Sequence, residues 1–319
     1  MSVDLRISPD QIIERYLSME LVRVTERAAV AAARLRGHGD EKAADQAAVD
    51  AMRRELNRLP IDGEIVIGEK VGNKQGPKVH IAVDPLEGTT LCAKDMPGSI
   101  AVMAMAGAGQ LLYAPDVYMN KIAIGPGYPQ GVVDLDASAA DNINALARAK
   151  GVKPHEINTL IMDRPRHEKL IAEVRKTGAS IRLITDGDVA GVIFCTEPEK
   201  TGIDLYLGIG GAPEGVLAAA ALRCVGGQMQ GRLILDTEEK RARAATMGVK
   251  DPNKKYDMAE MASGDVIVCA TGVTDGGMLS GVRFGPEVIE TETIVYRSIT
   301  GTVRRIYGEH RELSKFKLD

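Results

Sequence analysis

The sequence predicts a layered α/β protein (α+β elements) whose two lobes share one active site. Three patterns point to it. Apolar residues keep helical spacing up to Pro60, β-branched runs follow, and from Ala140 helix and strand signals alternate.

The elements follow in order. Ser8-Pro9-Asp10-Gln11 reads as a helix start: Ser8 caps, Pro9 sits where its missing N–H costs nothing, and Gln11 closes a capping box. Ile12, Ile13, Tyr16, Leu17, Leu21, Val24 and Ala28 carry that helix to about Leu35, where Gly37 and Gly39 interrupt it. A second helix runs from Asp40 to Leu59 and ends at Pro60. Asp40 sits at the positive end of that helix, and a plain cap accounts for it. Strands are expected at Glu64–Ile67, Val79–Asp84, Ile100–Ala106 and Lys121–Ile124, forming an antiparallel sheet. The alternating stretch divides at 140–150, 158–162, 167–177, 180–185, 188–194, 203–207, 214–225 and 231–235. The charged run Thr237–Lys255 reads as a solvated helix and loop, and the pair Arg304-Arg305 as surface. Gly151 is a plausible seam, giving lobes 1–150 and 151–319 that are not independent modules.

Composition narrows the function. A chain of 319 residues can bury a sizeable core. Trp is absent and aromatics are 3%, so the core is aliphatic and no stacking platform for bases is available. A net charge of −4 gives no general attraction for polyanions, so nucleic acid is not an expected partner. No apolar run reaches the roughly 18 residues of a membrane span, and residues 1–20 lack the order of a secretion signal. Cys92, Cys195, Cys224 and Cys269 show no paired spacing. A cytoplasmic protein with reduced thiols and no membrane partner is the expectation.

The most informative stretch is Val79-His80-Ile81-Ala82-Val83-Asp84-Pro85-Leu86-Glu87-Gly88-Thr89-Thr90. Pro85 biases Asp84 toward extended backbone at the strand end, Gly88 permits close approach, and Thr89 adds a hydroxyl. Two carboxylates and a hydroxyl on one turn suit hard cations such as Mg2+ or Mn2+, although a solvated turn has the same composition. Further on, Gly208, Gly210 and Gly211 follow a strand, Pro213 fits a first helical turn, and Glu214 precedes an apolar helix. Such a turn presents backbone N–H groups suited to phosphate or a close metal. Arg164 and Arg166 flank Pro165 as a rigid pair of forks for a phosphate.

The Asp-Pro-x-Glu-Gly-Thr turn resembles the metal-binding signature of the lithium-sensitive sugar phosphatases. Glu at position 87 looks like the class II fructose-1,6-bisphosphatases of bacteria. Gly39-Asp40 with Ala44-Asp45, Ala114-Pro115-Asp116-Val117-Tyr118-Met119, Arg164-Pro165-Arg166-His167, Asp186-Gly187-Asp188-Val189 and Gly210-Gly211-Ala212-Pro213-Glu214-Gly215 follow in that family's order. The resemblance spans nearly the whole chain and implies the sugar-phosphatase fold. It also implies divalent metal held by Asp40, Glu69, Asp84, Glu87 and Glu214, most of them in the first lobe. Thr89 then orients the attacking water, with its hydroxyl held by Asp40. Substrate lies against Glu87, Gly88, Thr89, Tyr118, Arg164, Pro165, Arg166, Asp186, Gly187, Asp188 and Gly211. Asp186 and Asp188 accept hydrogen bonds from sugar hydroxyls. A homo-oligomer, dimer or tetramer, is implied as well.

One departure bears on the metals. The family carries a longer acidic segment between two Ile-Gly-Glu steps, whereas Ile67-Gly68-Glu69 runs directly into Lys70-Val71-Gly72. The strand leading into Glu69 assigns it to the first step. The expected activity is hydrolysis of the 1-phosphate of fructose-1,6-bisphosphate. A dual enzyme also accepting sedoheptulose-1,7-bisphosphate is the near alternative, and a sugar-phosphate-binding protein with impaired turnover the distant one.

Overall fold

A computed structural model of the chain describes residues 9–66 and 68–317. Helices α1 (Pro9–Ala33) and α2 (Glu41–Leu56) come first. The cap expected at Ser8 lies outside the described residues. Strands β1 (Asp62–Ile65), β2 (Lys70–Val71) and β3 (Lys78–Glu87) follow, then a short α3 (Thr89–Ala93), β4 (Ile100–Gly107) and β5 (Tyr118–Ile124). The middle of the chain alternates: α4 (Ala139–Lys150), β6 (Asn158–Met162), α5 (Glu168–Lys176), β7 (Ser180–Ile184), α6 (Asp188–Phe194) and α7 (Pro198–Thr201). Then come β8 (Leu205–Gly211), α8 (Ala212–Val225), β9 (Gln228–Leu233), α9 (Glu238–Thr246), β10 (Lys255–Asp257) and α10 (Met258–Met261). The last strands are β11 (Val266–Gly272), β12 (Arg283–Phe284), β13 (Ile289–Arg297) and β14 (Thr302–His310).

These strands form two sheets. The first runs β12-β13-β11-β4-β3-β1-β2, with β14 also on β13; the second runs β10-β9-β5-β8-β6-β7. Alternation along the strands explains the layering. On β4, Ala101, Met103 and Met105 pack with Leu21, Val24 and Ala28 of α1 on one face. Ile100, Val102, Ala104 and Ala106 pack on the other face with α8, whose apolar residues are nearly all buried. Beyond α8, Ala123 of β5 faces inward, while Ile122 and Ile124 face α4 and α5 on the far side. The order of layers is helices, sheet, helices, sheet, helices.

The sequence boundary at 150 does not separate the sheets. β5 precedes it yet sits in the second sheet, and β11 to β14 follow it yet complete the first. The first sheet is mixed, because β1 pairs parallel to β3 while β3 and β4 are antiparallel. The shortened segment after Ile65 closes as a tight turn between β1 and β2: Gly68 N–H donates to Ile65 O at 2.7 Å, and Ile65 N–H to Glu69 O at 2.8 Å. Both residues of the pair Arg304-Arg305 are exposed, as expected, and Arg305 in addition has fixed partners. Arg305 bonds Glu197 at 3.0 Å and the Met278 carbonyl at 2.6 Å, tying β14 to the α6–α7 connection.

Candidate active site

The site lies where the two sheets face each other across α8 and α6. β3 supplies two acids through an irregularity: its pairing with β4 shifts register between Asp84 and Glu87. Pro85 lacks the N–H a regular ladder needs, and a bulge lets two acids three positions apart share one face. Gly88 then takes left-handed backbone (φ 78°) and Thr89 begins α3. Glu214 comes from the first turn of α8, with Gly211 at the N-cap and Pro213 just inside. Ligand atoms of Asp84, Glu87 and Glu214 lie within 4.8 Å of one another.

This crowding is electrostatically costly without a cation. Burial pushes Asp84 up to about 6, against a hydrogen bond from Glu87. Glu87 is driven well above the usual carboxylate range by burial, then by Asp84 and Asp188. Burial, then Asp188, raises Glu214 to about 8. Glu87 Oε1 already accepts the Val189 N–H at 2.6 Å. Behind the acids, the fully buried Tyr206 hydroxyl has no hydrogen-bond partner among the described residues. An all-carboxylate donor set with an orphaned donor beside it fits a hard divalent cation and its attendant water.

A cleft of about 580 Å3 opens onto the acids. Glu87, Tyr118, Arg164, Arg166, Asp186, Asp188, Gly211 and Glu214 line it, so most of the residues singled out in the sequence meet here. Arg166 is fixed by its guanidinium, which donates from Nε and Nη2 to the Ile209 carbonyl at 3.2 and 2.9 Å and stacks 4.8 Å from the Tyr118 ring centroid. Arg164 lies 3.9 Å from Asp186, which also accepts the Thr90 N–H at 3.3 Å. The last contact joins the Asp84–Thr90 turn to the Asp186–Asp188 loop.

Two expected ligands are not brought in. Asp40 is exposed and caps α2, accepting the Ala43 N–H at 2.9 Å, and no hydrogen bond joins it to Thr89 among the described residues. Glu69 pairs with Arg53 of α2 through Nε at 2.8 Å and Nη2 at 3.2 Å, and stands outside the acid cluster. The backbone bonds of Ile65 with Gly68 and Glu69 hold Glu69 beside β1, next to Arg53. His80 is likewise remote, bonded to Tyr113 at 3.1 Å and accepting the Gly109 N–H at 3.0 Å.

Other residues at the site went unread in the sequence. Lys121 is buried and bonded to Asp188 at 2.5 Å. Asp45, half-buried on α2, has its carboxyl raised by burial and in turn raises Asp84. Lys240 lines the cleft from α9, although its charged run reads as solvent-facing. His167 was visible as the last residue of Arg-Pro-Arg-His, but not its job of clamping that turn. A lysine in an apolar strand, as at 121, was the one signal available for the buried pair.

Residues 15–310 match the family model described as bacterial fructose-1,6-bisphosphatase, glpX-encoded. A D-fructose 1,6-bisphosphatase class 2/sedoheptulose 1,7-bisphosphatase of Synechococcus sp. (strain JA-3-3Ab) is 41% identical, over 93% of this chain and 96% of that protein. The protein of the same name from Synechococcus sp. (strain RCC307) is 42% identical, over 92% and 95%. A solved extragenic suppressor from Pyrococcus furiosus aligns over 57% of this chain and 71% of its own, with a TM-score of 0.35 and 10% identity. The family match and these relatives place the chain among the sugar-phosphate phosphatases. The chain belongs to the bacterial, glpX-type fructose-1,6-bisphosphatase family.

Proposed function

We propose that the chain hydrolyses the 1-phosphate of fructose-1,6-bisphosphate, releasing fructose-6-phosphate and phosphate. The observation that carries it is one cleft lined both by Glu87 and Glu214, which cluster with Asp84, and by Arg164, Arg166 and Tyr118. Mg2+ or Mn2+ held by the three acids supplies charge neutralisation for a phosphoryl group and acidifies water. The arginine forks hold the far phosphate, and Asp186 accepts from sugar hydroxyls. Thr89, just beyond Gly88, orients the attacking water. Sedoheptulose-1,7-bisphosphate fits the same division, since both relatives carry it in their names. Assembly into dimers or tetramers and a cytoplasmic location complete the proposal. No helix among the described residues is long and apolar enough to cross a membrane.

The test is phosphate release from both bisphosphates with Mn2+, with Mg2+ and after chelation. No release under any condition would reject hydrolysis. The placement of Glu69 favours a second reading, binding with impaired turnover, because the cluster is left with three acids. Retained binding of the bisphosphate without release would select it.

A further inference from the structure

Lys121 is a buried cation close enough to act on Glu214. It sits on β5 between Gly208 of β8 and Gly231 of β9, 1% exposed, and its ammonium meets the 4%-exposed carboxylate of Asp188 at 2.5 Å. A side chain at Gly210 would put its Cβ 1.7 Å from Asp188 Oδ2 and 3.1 Å from Lys121 Nζ, so the backbone there is shaped around the pair. Asp188 is a fourth carboxylate in the same field, repelling Asp84, Glu87 and Glu214, while Lys121 attracts Glu214.

We infer that Lys121 is a positioning residue that divides these four acids into two jobs. By holding Asp188 in an ion pair it withholds that carboxylate from the cation site, leaves the cation to Asp84, Glu87 and Glu214, and keeps Asp188 at the cleft for substrate. The inference rests on the cation site proposed above. It assigns opposite signs to the two partners. Losing Lys121 frees a negative charge for the cation, whereas losing Asp188 leaves a positive charge unpaired beside it.

The test is calorimetric titration of Mn2+ into the substrate-free protein, with folding checked by circular dichroism. Lys121→Met should bind Mn2+ about five-fold tighter than the unaltered chain, and Asp188→Asn about five-fold more weakly. A merely structural pair would weaken binding in both variants, and that result overturns the inference. If Lys121→Met does not fold, Lys121→Gln takes its place, with tighter Mn2+ binding expected and weaker binding overturning the inference. Absence of Mn2+ binding in the unaltered chain overturns the cation site itself, and the inference with it.

Discussion

His167 grips Ile209 through its ring: Nε2 accepts the Ile209 N–H at 2.8 Å, while Nδ1 donates to the Met162 carbonyl at 2.8 Å. Arg166 takes the carbonyl of the same Ile209. Both backbone groups of one β8 residue thus hold the Arg-Pro-Arg-His turn. Burial lowers the His167 pKa, which suits the neutral ring this arrangement needs. His167→Ala should loosen Arg166 and raise KM for the bisphosphate about tenfold, the equivalent of one net hydrogen bond or slightly more. Steady-state kinetics check it, and an unchanged KM would count against the clamp.

Arg166→Ala should weaken bisphosphate binding by about 1.5–3 kcal/mol, the range for a contact to a charged group. Activity on a small monophosphate should suffer less, because the acid side of the cleft is untouched. Equal losses on both substrates would contradict this division of labour.

Activity should disappear after chelation and return with Mn2+ or Mg2+. Asp84→Asn should abolish it while leaving the circular dichroism spectrum intact. Glu69→Gln should leave the metal dependence unchanged, since that carboxylate is occupied by Arg53. A metal requirement that rises in Glu69→Gln would return Glu69 to the site.

A pH effect is expected far from the cleft. Lys315 Nζ donates to His310 Nδ1 at 2.8 Å, and His310 Nε2 lies 2.9 Å from Thr291 Oγ1, which donates to Glu26 at 3.1 Å. Burial, then the charges of Lys315 and Arg27, pushes His310 down to about 4. Unfolded, the imidazole titrates near 6.5, so between these values the unfolded chain binds the extra proton. Stability from neutral His310 is complete above about pH 6.5 and is lost as pH falls toward 4. Glu26, raised by burial, works in the opposite sense, so the comparison must be with a variant. His310→Gln should flatten the fall in melting temperature across that window. Parallel curves would refute it.

Legibility differed by region for physical reasons. Punctuated segments were readable: the strand 158–162 and the helix 188–194 fall where turn residues and periodicity place them. The strands β11, β13 and β14 were not foreseen, because β11 is buried on both faces and shows no alternation. Motif residues declared the cleft, since Gly, Pro and acids have few other reasons to cluster. Lys121 stayed hidden, because it sits singly in an otherwise ordinary strand, and Asp45 was quoted in the Gly39–Asp45 match without a role of its own. Asp40 and Glu69 show the reverse. Their residue types suit a ligand; the cap at Asp40 was legible from its place before the helix, but only tertiary placement reveals that Glu69 faces Arg53.

Two of the acids stand on β3 and the third on α8, far apart in the chain, and this sets an order of events during synthesis. A growing chain exposes Asp84 and Glu87 early, while Glu214 emerges long afterwards and β11 to β14, which complete the first sheet, later still. A nascent chain therefore has no trio with which to hold a cation. Loading should be a closing act of folding, and a protein stalled before α8 should stay unloaded however much Mn2+ surrounds it.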